Sequence, residues 1–513
     1  MAEQTPTMKK TLGLTGVTVN AMALIAPGAF LWITYQLQAS NNGGDTDMWT
    51  GIVAALIVAF LTAIAFSEMA RKYPEAGAGG SYYFAEKAFL DRDKASHQRY
   101  ARIAKFLTGW AAHLFYWVYP GVMVAMMAVL VNYILSQFGV NLSIYMQILV
   151  AIVFSAIVGF IAVRGISGST NVAIIINVVQ LVSLVGFSVL AILFRLNNPL
   201  HATHWAHPTG FSIVFPHSLS AMLFQSTIAI LILVGFESST SLAGEAINPK
   251  RDIPRGVILS LIIQGLLAYL FEYFAANFAI SEKLVYVGAD GTKLTGMAAA
   301  AASGAPIGDL TRLIGDSMLG GNGFALMIVI AVTVALAVLG TTLAAMNTAV
   351  RISFAMAQDN EMPGLLGSLH SKHVTPHIAV WILVGVSAVI GSVGVLSVTA
   401  LTGVTLASNI GTFALYAIIC VLTFITFVGR TEFHSIKHAV IPILGFLGNI
   451  GMLVAVVFIG LTTPGVSQDA TKMALYITIG WGVVSAIYLL WNSKVSGRHI
   501  VPPTELVKSA QNR

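Results

Sequence analysis

The sequence predicts an all-α polytopic membrane protein with twelve transmembrane helices, and three observations lead there. Of its 513 residues, 57% are hydrophobic and only 9% charged, where soluble domains carry about 25% charged residues. Apolar runs of about 20 residues, enough to cross about 30 Å of hydrocarbon, recur along the whole chain. Basic residues gather in alternate connections between those runs. A transmembrane barrel would instead show short segments of alternating polarity.

The apolar runs place helical segments near 13–38, 48–72, 102–136, 144–163, 170–195, 218–247, 254–280, 323–357, 379–397, 399–428, 438–462 and 471–492. With the N-terminus (1–12) in the cytoplasm, 22 of the 27 Lys and Arg fall on inner connections or helix ends. Arg195, Lys283, Lys293, Arg312 and Lys472 are the exceptions. This bias supports the count of twelve and puts both termini, including 493–513, in the cytoplasm. The net charge of +6 is thus a topology signal and no sign of nucleic-acid binding. The longest interruption, 281–322, is read as an outer loop carrying short helices. The single cysteine, Cys420, allows neither a disulfide nor a cysteine metal site. No GxxxxGK[ST] phosphate loop is present, so the chain has no ATPase of its own. The N-terminus lacks a signal-peptide layout, and the first segment is expected to be retained.

Two segments carry interruptions. Pro27-Gly28 stands in the middle of NAMALIAPGAFLW (20–32), and Gly235 and Ser238-Ser239 interrupt segment 6, with Glu237 between them. Segments 1 and 6 open two five-helix halves, 13–195 and 218–428, followed by 438–492. Paired Gly/Pro interruptions at corresponding positions point to a transporter's midplane site. Unwound backbone frees carbonyls for a cation and N–H groups for an anion, and it is tolerated only where it faces protein or water.

Four motifs, in order, carry a resemblance to the amino acid–polyamine–organocation transporter superfamily: IAPGAF (25–30), AFSEMARKYPEAGAGGSYYF (65–84), VGFESSTSLAGEAINPKRDIPRG (234–256) and RISFAMAQDNEMP (351–363). The chain resembles that superfamily over about residues 10 to 465. The resemblance implies a five-plus-five inverted repeat with broken helices 1 and 6, plus two C-terminal helices. It implies a substrate site at Leu24, Ile25, Ala26, Pro27, Gly28 and Ala29, facing Leu231, Ile232, Val234 and Gly235. A substrate carboxylate would lie near Pro27, Gly28 and Ala29, and its ammonium near carbonyls of Leu24 or Ile25 and of Leu231, Ile232 or Val234. Tyr116, with His113 and Trp117 beside it, and Asn409 would face the substrate side chain. Pro27 departs from the pattern, because it lacks the hydroxyl and N–H usually offered there. Gln180 stands where some relatives place a lysine, and a neutral amide cannot replace a cation.

Among the ionisable groups, Glu237 is assigned a gating or proton role, or that of a hydrogen-bond anchor. Glu245 is expected to pair with Lys250 or Arg251, Glu68 to sit with Arg71 at an inner surface, and Glu272 to be interfacial. Thr341 and Thr342 offer hydroxyls to sodium or cap their own helix. His201, His204 and His207 are read as a solvated loop. No cofactor is expected beyond sodium or a proton as coupling ion.

The function these features support is a plasma-membrane permease of the bacterial inner-membrane kind, a secondary active transporter moving amino acids by alternating access, ion-coupled or by exchange. The alternative is a carrier of polyamines or other organic amines. A channel would need a filter sequence and an enzyme a cluster of reactive groups, and neither is present, while a non-transporting membrane receptor stays open as a further alternative. The expected partners are a small molecule and the lipid bilayer.

Overall fold

The computed structural model describes residues 10–25, 29–75, 79–92, 94–164, 170–288, 290–371, 373 and 375–511. The helices run α1 Leu14–Ile25, α2 Ala29–Ala39, α3 Met48–Lys72, α4 Ser81–Leu90, α5 Ala95–Gln98, α6 Ala101–Ser136 and α7 Ile144–Val163. Next come α8 Thr170–Asn197, α9 Phe211–Val214, α10 Leu219–Ala229, α11 Pro249–Leu261, α12 Leu270–Ala279, α13 Gly296–Ala302 and α14 Pro306–Met318. The chain closes with α15 Gly323–Gln358, α16 His377–Gly394, α17 Val398–Phe427, α18 Ile441–Thr462, α19 Val466–Ser496 and α20 Thr504–Gln511. One antiparallel hairpin, β1 Val285–Val287 and β2 Lys293–Thr295, lies between α12 and α13.

Among the described residues, eleven helices are long and apolar enough to cross a membrane. Segment 1 is represented by α1 and α2; Ala26, Pro27 and Gly28 between them lie outside the described residues. α6 is the central helix, packed against α4, α7, α15, α16 and α17. Its most apolar stretch is 83% buried, against 6% in α19, which turns Tyr476, Ile479, Ile487 and Leu490 outward as a lipid-facing surface. The 281–322 interruption does carry short helices, but they are not peripheral: α13 and α14 pack on α2. A side chain at Gly308 would run into the Trp32 ring. Asp309 accepts hydrogen bonds from Tyr133 and Ser303, tying this connection to α6.

At the end of the bundle that carries most of the basic residues, charges are paired across elements. Arg102 meets the buried Glu361 at 2.7 Å, and Lys105 bridges Glu86 and Asp359. The Arg102 guanidinium also donates to the carbonyls of Arg498 and His499, which fastens the chain after α19 to the start of α6. Glu245 pairs with Arg351 on α15, not with Lys250 or Arg251, because Arg251 is taken by Asp252. Glu68 bonds Arg71 as expected, but it is buried and also meets Nε2 of His438 at 3.1 Å.

Segment 6 is not one helix. After α10 the backbone tightens into a 3₁₀ turn at Ile230–Ile232, turns at Leu233–Gly235 and resumes as a second 3₁₀ stretch, Phe236–Leu242. The cause is local. Ser238, Ser239, Thr240 and Ser241 each donate a hydroxyl to the carbonyl three residues earlier, at 2.6–2.8 Å. Such back-bonding competes with the regular i→i−4 ladder. Gly235 makes the turn with φ +124, and a Cβ there would stand 2.9 Å from the Ile25 nitrogen and 3.0 Å from Leu24 Cβ. The two interrupted segments therefore approach each other through a residue that has to be glycine.

Gly235→Ala is expected to lower stability by about 1–3 kcal/mol, the usual cost of a strained backbone residue, read as thermal unfolding in detergent. Gly451→Ala is the control, since a Cβ there meets nothing within 4 Å and the backbone is helical. It should be neutral, or stabilising by up to about 1 kcal/mol.

Candidate functional site

The candidate site forms where α1 ends. The last four carbonyls of a helix lack partners within it, and inside hydrocarbon each must be satisfied by something else. The structure supplies a side-chain donor to every one. Gln264 Nε2 donates to Met22 O at 2.9 Å and Thr341 Oγ1 to Ala23 O at 3.1 Å. Tyr119 Oη donates to Leu24 O at 3.4 Å and Tyr269 Oη to Ile25 O at 2.8 Å. The donors come from α6, α15 and the π-helical stretch Ile262–Tyr269 that joins α11 to α12. Gln264 and Tyr269 are five positions apart, which in an α-helix of 3.6 residues per turn would splay them apart. The wider i→i+5 turn brings both towards α1, and π stretches are frequent at functional sites.

The facing wall is the turn of segment 6. Glu237, 3% exposed, accepts three hydrogen bonds: Tyr116 Oη at 2.8 Å on one oxygen, and Tyr416 Oη at 2.7 Å and the Gly235 N–H at 3.0 Å on the other. It thus ties α6 and α17 to the interrupted segment. Phe66, Phe236 and Tyr416 pack edge-on and tilted around it. A narrow cavity beside Glu237 is lined by Tyr116, Gly80, Ser81, Ser238 and Ser241.

The site residues expected from the sequence fall into three groups. Leu24, Ile25, Leu231, Ile232, Val234 and Gly235 come together, with the named apolar side chains fully buried, and Tyr116 joins them through Glu237. Ala26, Pro27 and Gly28 lie outside the described residues, and Ala29 opens α2. The others do different work. Asn409 donates to Thr227 O and so links α17 to α10. Thr342 donates to Val338 O on its own helix, so only Thr341 reaches α1. Gln180 is buried with its Oε1 unpartnered, while Asn177, one turn earlier, is the α8 residue next to Gln264. His113 donates from Nδ1 to Gly109 O and sets Nε2 2.9 Å from the Ser353 hydroxyl. Its ring sits among Trp110 and Trp117, which pack on Trp481, so His113 and Trp117 support α15 and α19 and do not face Glu237.

Two expectations about charge need correction. Glu272 is not interfacial: it is 0% exposed, near the start of α12, a helix that packs mainly on α8 and α3. The 198–215 connection lies over the far end of α12, where Arg195 fastens it with hydrogen bonds to His207 O, Pro208 O and Phe278 O, and Ala206 N–H donates to Ile280 O. The loop histidines are likewise not uniformly solvated. His201 and His204 are exposed, but His207 is buried, and burial, reinforced by the charges of His217 and Arg195, pushes its imidazole down to about 4. Glu282 receives the N–H groups of Thr203 and His204, which hold its carboxyl down at about 2.

Tyr119, Gln264, Tyr269 and Tyr416 had not been singled out in the sequence. The available signal was a polar or phenolic residue inside an apolar run, as in IIQGLLAY (262–269). That signal says a partner exists without saying which backbone group it is.

Known proteins resemble the chain over much of its length. The chain is 26% identical over 410 residues to a branched-chain amino acid permease of Bacillus subtilis (strain 168), covering 75% of each chain. It is 28% identical over 364 residues to a branched-chain amino acid permease of Lactococcus lactis subsp. cremoris, covering 69% of this chain and 70% of that one. It is 21% identical over 267 residues to a low-affinity putrescine importer of Escherichia coli (strain K12), covering 52% of this chain and 54% of that one. These relatives are membrane transporters, and the sequence pattern of the amino acid permease family matches residues 10–484. The chain belongs to the amino acid permease family, within the amino acid–polyamine–organocation superfamily.

Proposed function

We propose that the chain is a secondary transporter of small, neutral, apolar amino acids, working by alternating access in a five-plus-five inverted repeat of twelve spans with both termini cytoplasmic. The observation that carries this reading is the row of four α1 carbonyls held by exchangeable side-chain donors. A row of carbonyls is what an α-ammonium group needs, and removable donors let it enter. The named apolar residues at the junction suit an aliphatic side chain. Two relatives are named for branched-chain amino acids, which fits the same choice.

The polyamine alternative is less well supported. A diamine needs a carboxylate for its second ammonium, and both oxygens of Glu237 are already taken by Tyr116, Tyr416 and the Gly235 N–H. Thr341 with the Ala23 carbonyl is the pair a sodium ion would use, so gradients of sodium and of protons belong in separate arms of the test.

The deciding experiment is counterflow into liposomes holding the purified chain, with labelled leucine outside and unlabelled leucine inside. Leucine, isoleucine and valine should exchange and compete, while putrescine should not. Exchange of putrescine with no exchange of any amino acid refutes the assignment.

Tyr269→Phe leaves the Ile25 carbonyl buried without its donor, at a cost of about 1–3 kcal/mol. Transport efficiency should fall roughly 5- to 150-fold by that measure. An unchanged rate would show that this bond takes no part in the cycle. Glu237→Gln replaces an acceptor of three hydrogen bonds with an amide that can accept on only one atom. It should lower thermal stability by about 1–3 kcal/mol. If Glu237 instead carries a proton during transport, the same variant flattens the pH profile and keeps its stability.

A further inference from the structure

Glu272 stands apart from every other acidic group in the structure. It is 0% exposed, and neither carboxyl oxygen has a hydrogen-bond partner. Among the described residues it is the only buried carboxyl with both oxygens bare. Burying a carboxylate with no donor costs several kcal/mol or more, and acidic groups inside a membrane usually mark ion or proton pathways. A native protein that keeps such a group needs a reason for it.

Among the described residues, no salt bridge reaches it. On its own helix and the adjoining π stretch the ionisable neighbours are Tyr269 and Tyr273. The Tyr273 hydroxyl is itself buried without a partner, and its ring lies 5.5 Å from that of Tyr35. Tyr35 is bonded to Asn277. α12 also packs on α8, α3 and α9. Among described side chains, Arg195 is the only charged residue of α8, and it is spent on three backbone carbonyls. Glu68, Arg71 and Lys72 are the charged residues of α3; they stand in its last two turns at the basic end, and α9 has none. The position of Glu272 is equally telling. It follows Tyr269 by three residues, on the same face of the helix, and Tyr269 is the donor to Ile25 O at the end of α1.

We propose that Glu272 is the proton-carrying group of the transport cycle. A proton from water at the end away from the basic cluster forms an O–H bond on the Glu272 carboxylate. That removes its charge and allows α12 to close against α8 with no donor in place. After the bundle opens at the basic end the O–H bond breaks and the proton leaves to water there, so one proton crosses per cycle. The carboxylate needs hydration and favours the arrangement open to the first side, while the acid is compatible with the closed one. A ligand that prefers one state shifts the population towards it, and here the ligand is the proton. Tyr269 passes the shift of α12 to the α1 carbonyls that read the substrate. The proposal rests on reading the chain as an amino acid carrier.

The test uses the full chain in liposomes and separates exchange from accumulation. An imposed pH gradient should drive leucine accumulation by the wild type. Glu272→Gln should keep leucine counterflow within about twofold and lose gradient-driven accumulation by about tenfold or more, a coupling of the usual allosteric size. Equal accumulation by variant and wild type overturns the proposal, and so does wild-type counterflow that a pH gradient cannot turn into accumulation. A variant that instead changes its choice between leucine and putrescine overturns it too, by making Glu272 a substrate contact. Infrared difference spectra between acid and alkaline buffer need no transport and separate this proposal from the carrier reading. They should contain a protonated-carboxyl band that Glu272→Gln removes and Glu237→Gln leaves in place. Persistence of that band in Glu272→Gln overturns the proton site whether or not any amino acid is carried.

Discussion

A helix that ends inside a membrane leaves four carbonyls facing a medium with nothing to offer them, and the architecture around α1 answers that constraint. Gln264, Thr341, Tyr119 and Tyr269 reach Met22, Ala23, Leu24 and Ile25 in turn. Each donor fixes the helix that bears it. Tyr119 sets the rotation of α6, Thr341 that of α15, and the π stretch exists where Gln264 and Tyr269 must serve the same helix end. With an unmade hydrogen bond costing about 1–3 kcal/mol, the four together constrain the centre of the bundle more firmly than any of its apolar contacts taken singly.

The segment facing it solves the same problem by different means. Between Gly235 and Ser241 the chain turns its hydroxyls onto its own carbonyls and needs few outside donors. Glu237 then collects two tyrosines and a backbone N–H from three directions. One interrupted segment is therefore held by its neighbours, whereas the other largely holds itself and grips its neighbours through a single carboxyl. Gly235 lets the two meet at backbone distance.

Much of the fold was legible because long apolar runs and basic ends follow directly from the physics of a bilayer. Segment 4 was expected at 144–163 and is found at Ile144–Val163, and segment 10 was expected at 399–428 and is found at Val398–Phe427. The interruption in segment 6 was legible from Gly235 and the hydroxyl cluster after it. Partners across the bundle were not. Nothing in IIQGLLAY says that Gln264 and Tyr269 address α1, because a backbone carbonyl has no sequence signature. Glu245 was matched to its sequence neighbours Lys250 and Arg251, but tertiary packing brings Arg351 closer. Glu272 looked interfacial because LFEYFAANF lies near a helix end, but the packing of α12 on α8 and α3, which no local pattern announces, places it in the interior.

The four donors around α1 also bear on how tightly any guest can be held. If the proposed site takes an ammonium group, these donors act as placeholders, and the group wins its carbonyls only by displacing hydroxyls and an amide already bonded there. Hydrogen bonds are exchanged and few are added, so the net gain is a small difference between similar quantities. That favours a shallow binding well over a deep one. For a receptor this would be a weakness, but a protein that must release its cargo on the far side turns over faster when capture and release are nearly balanced.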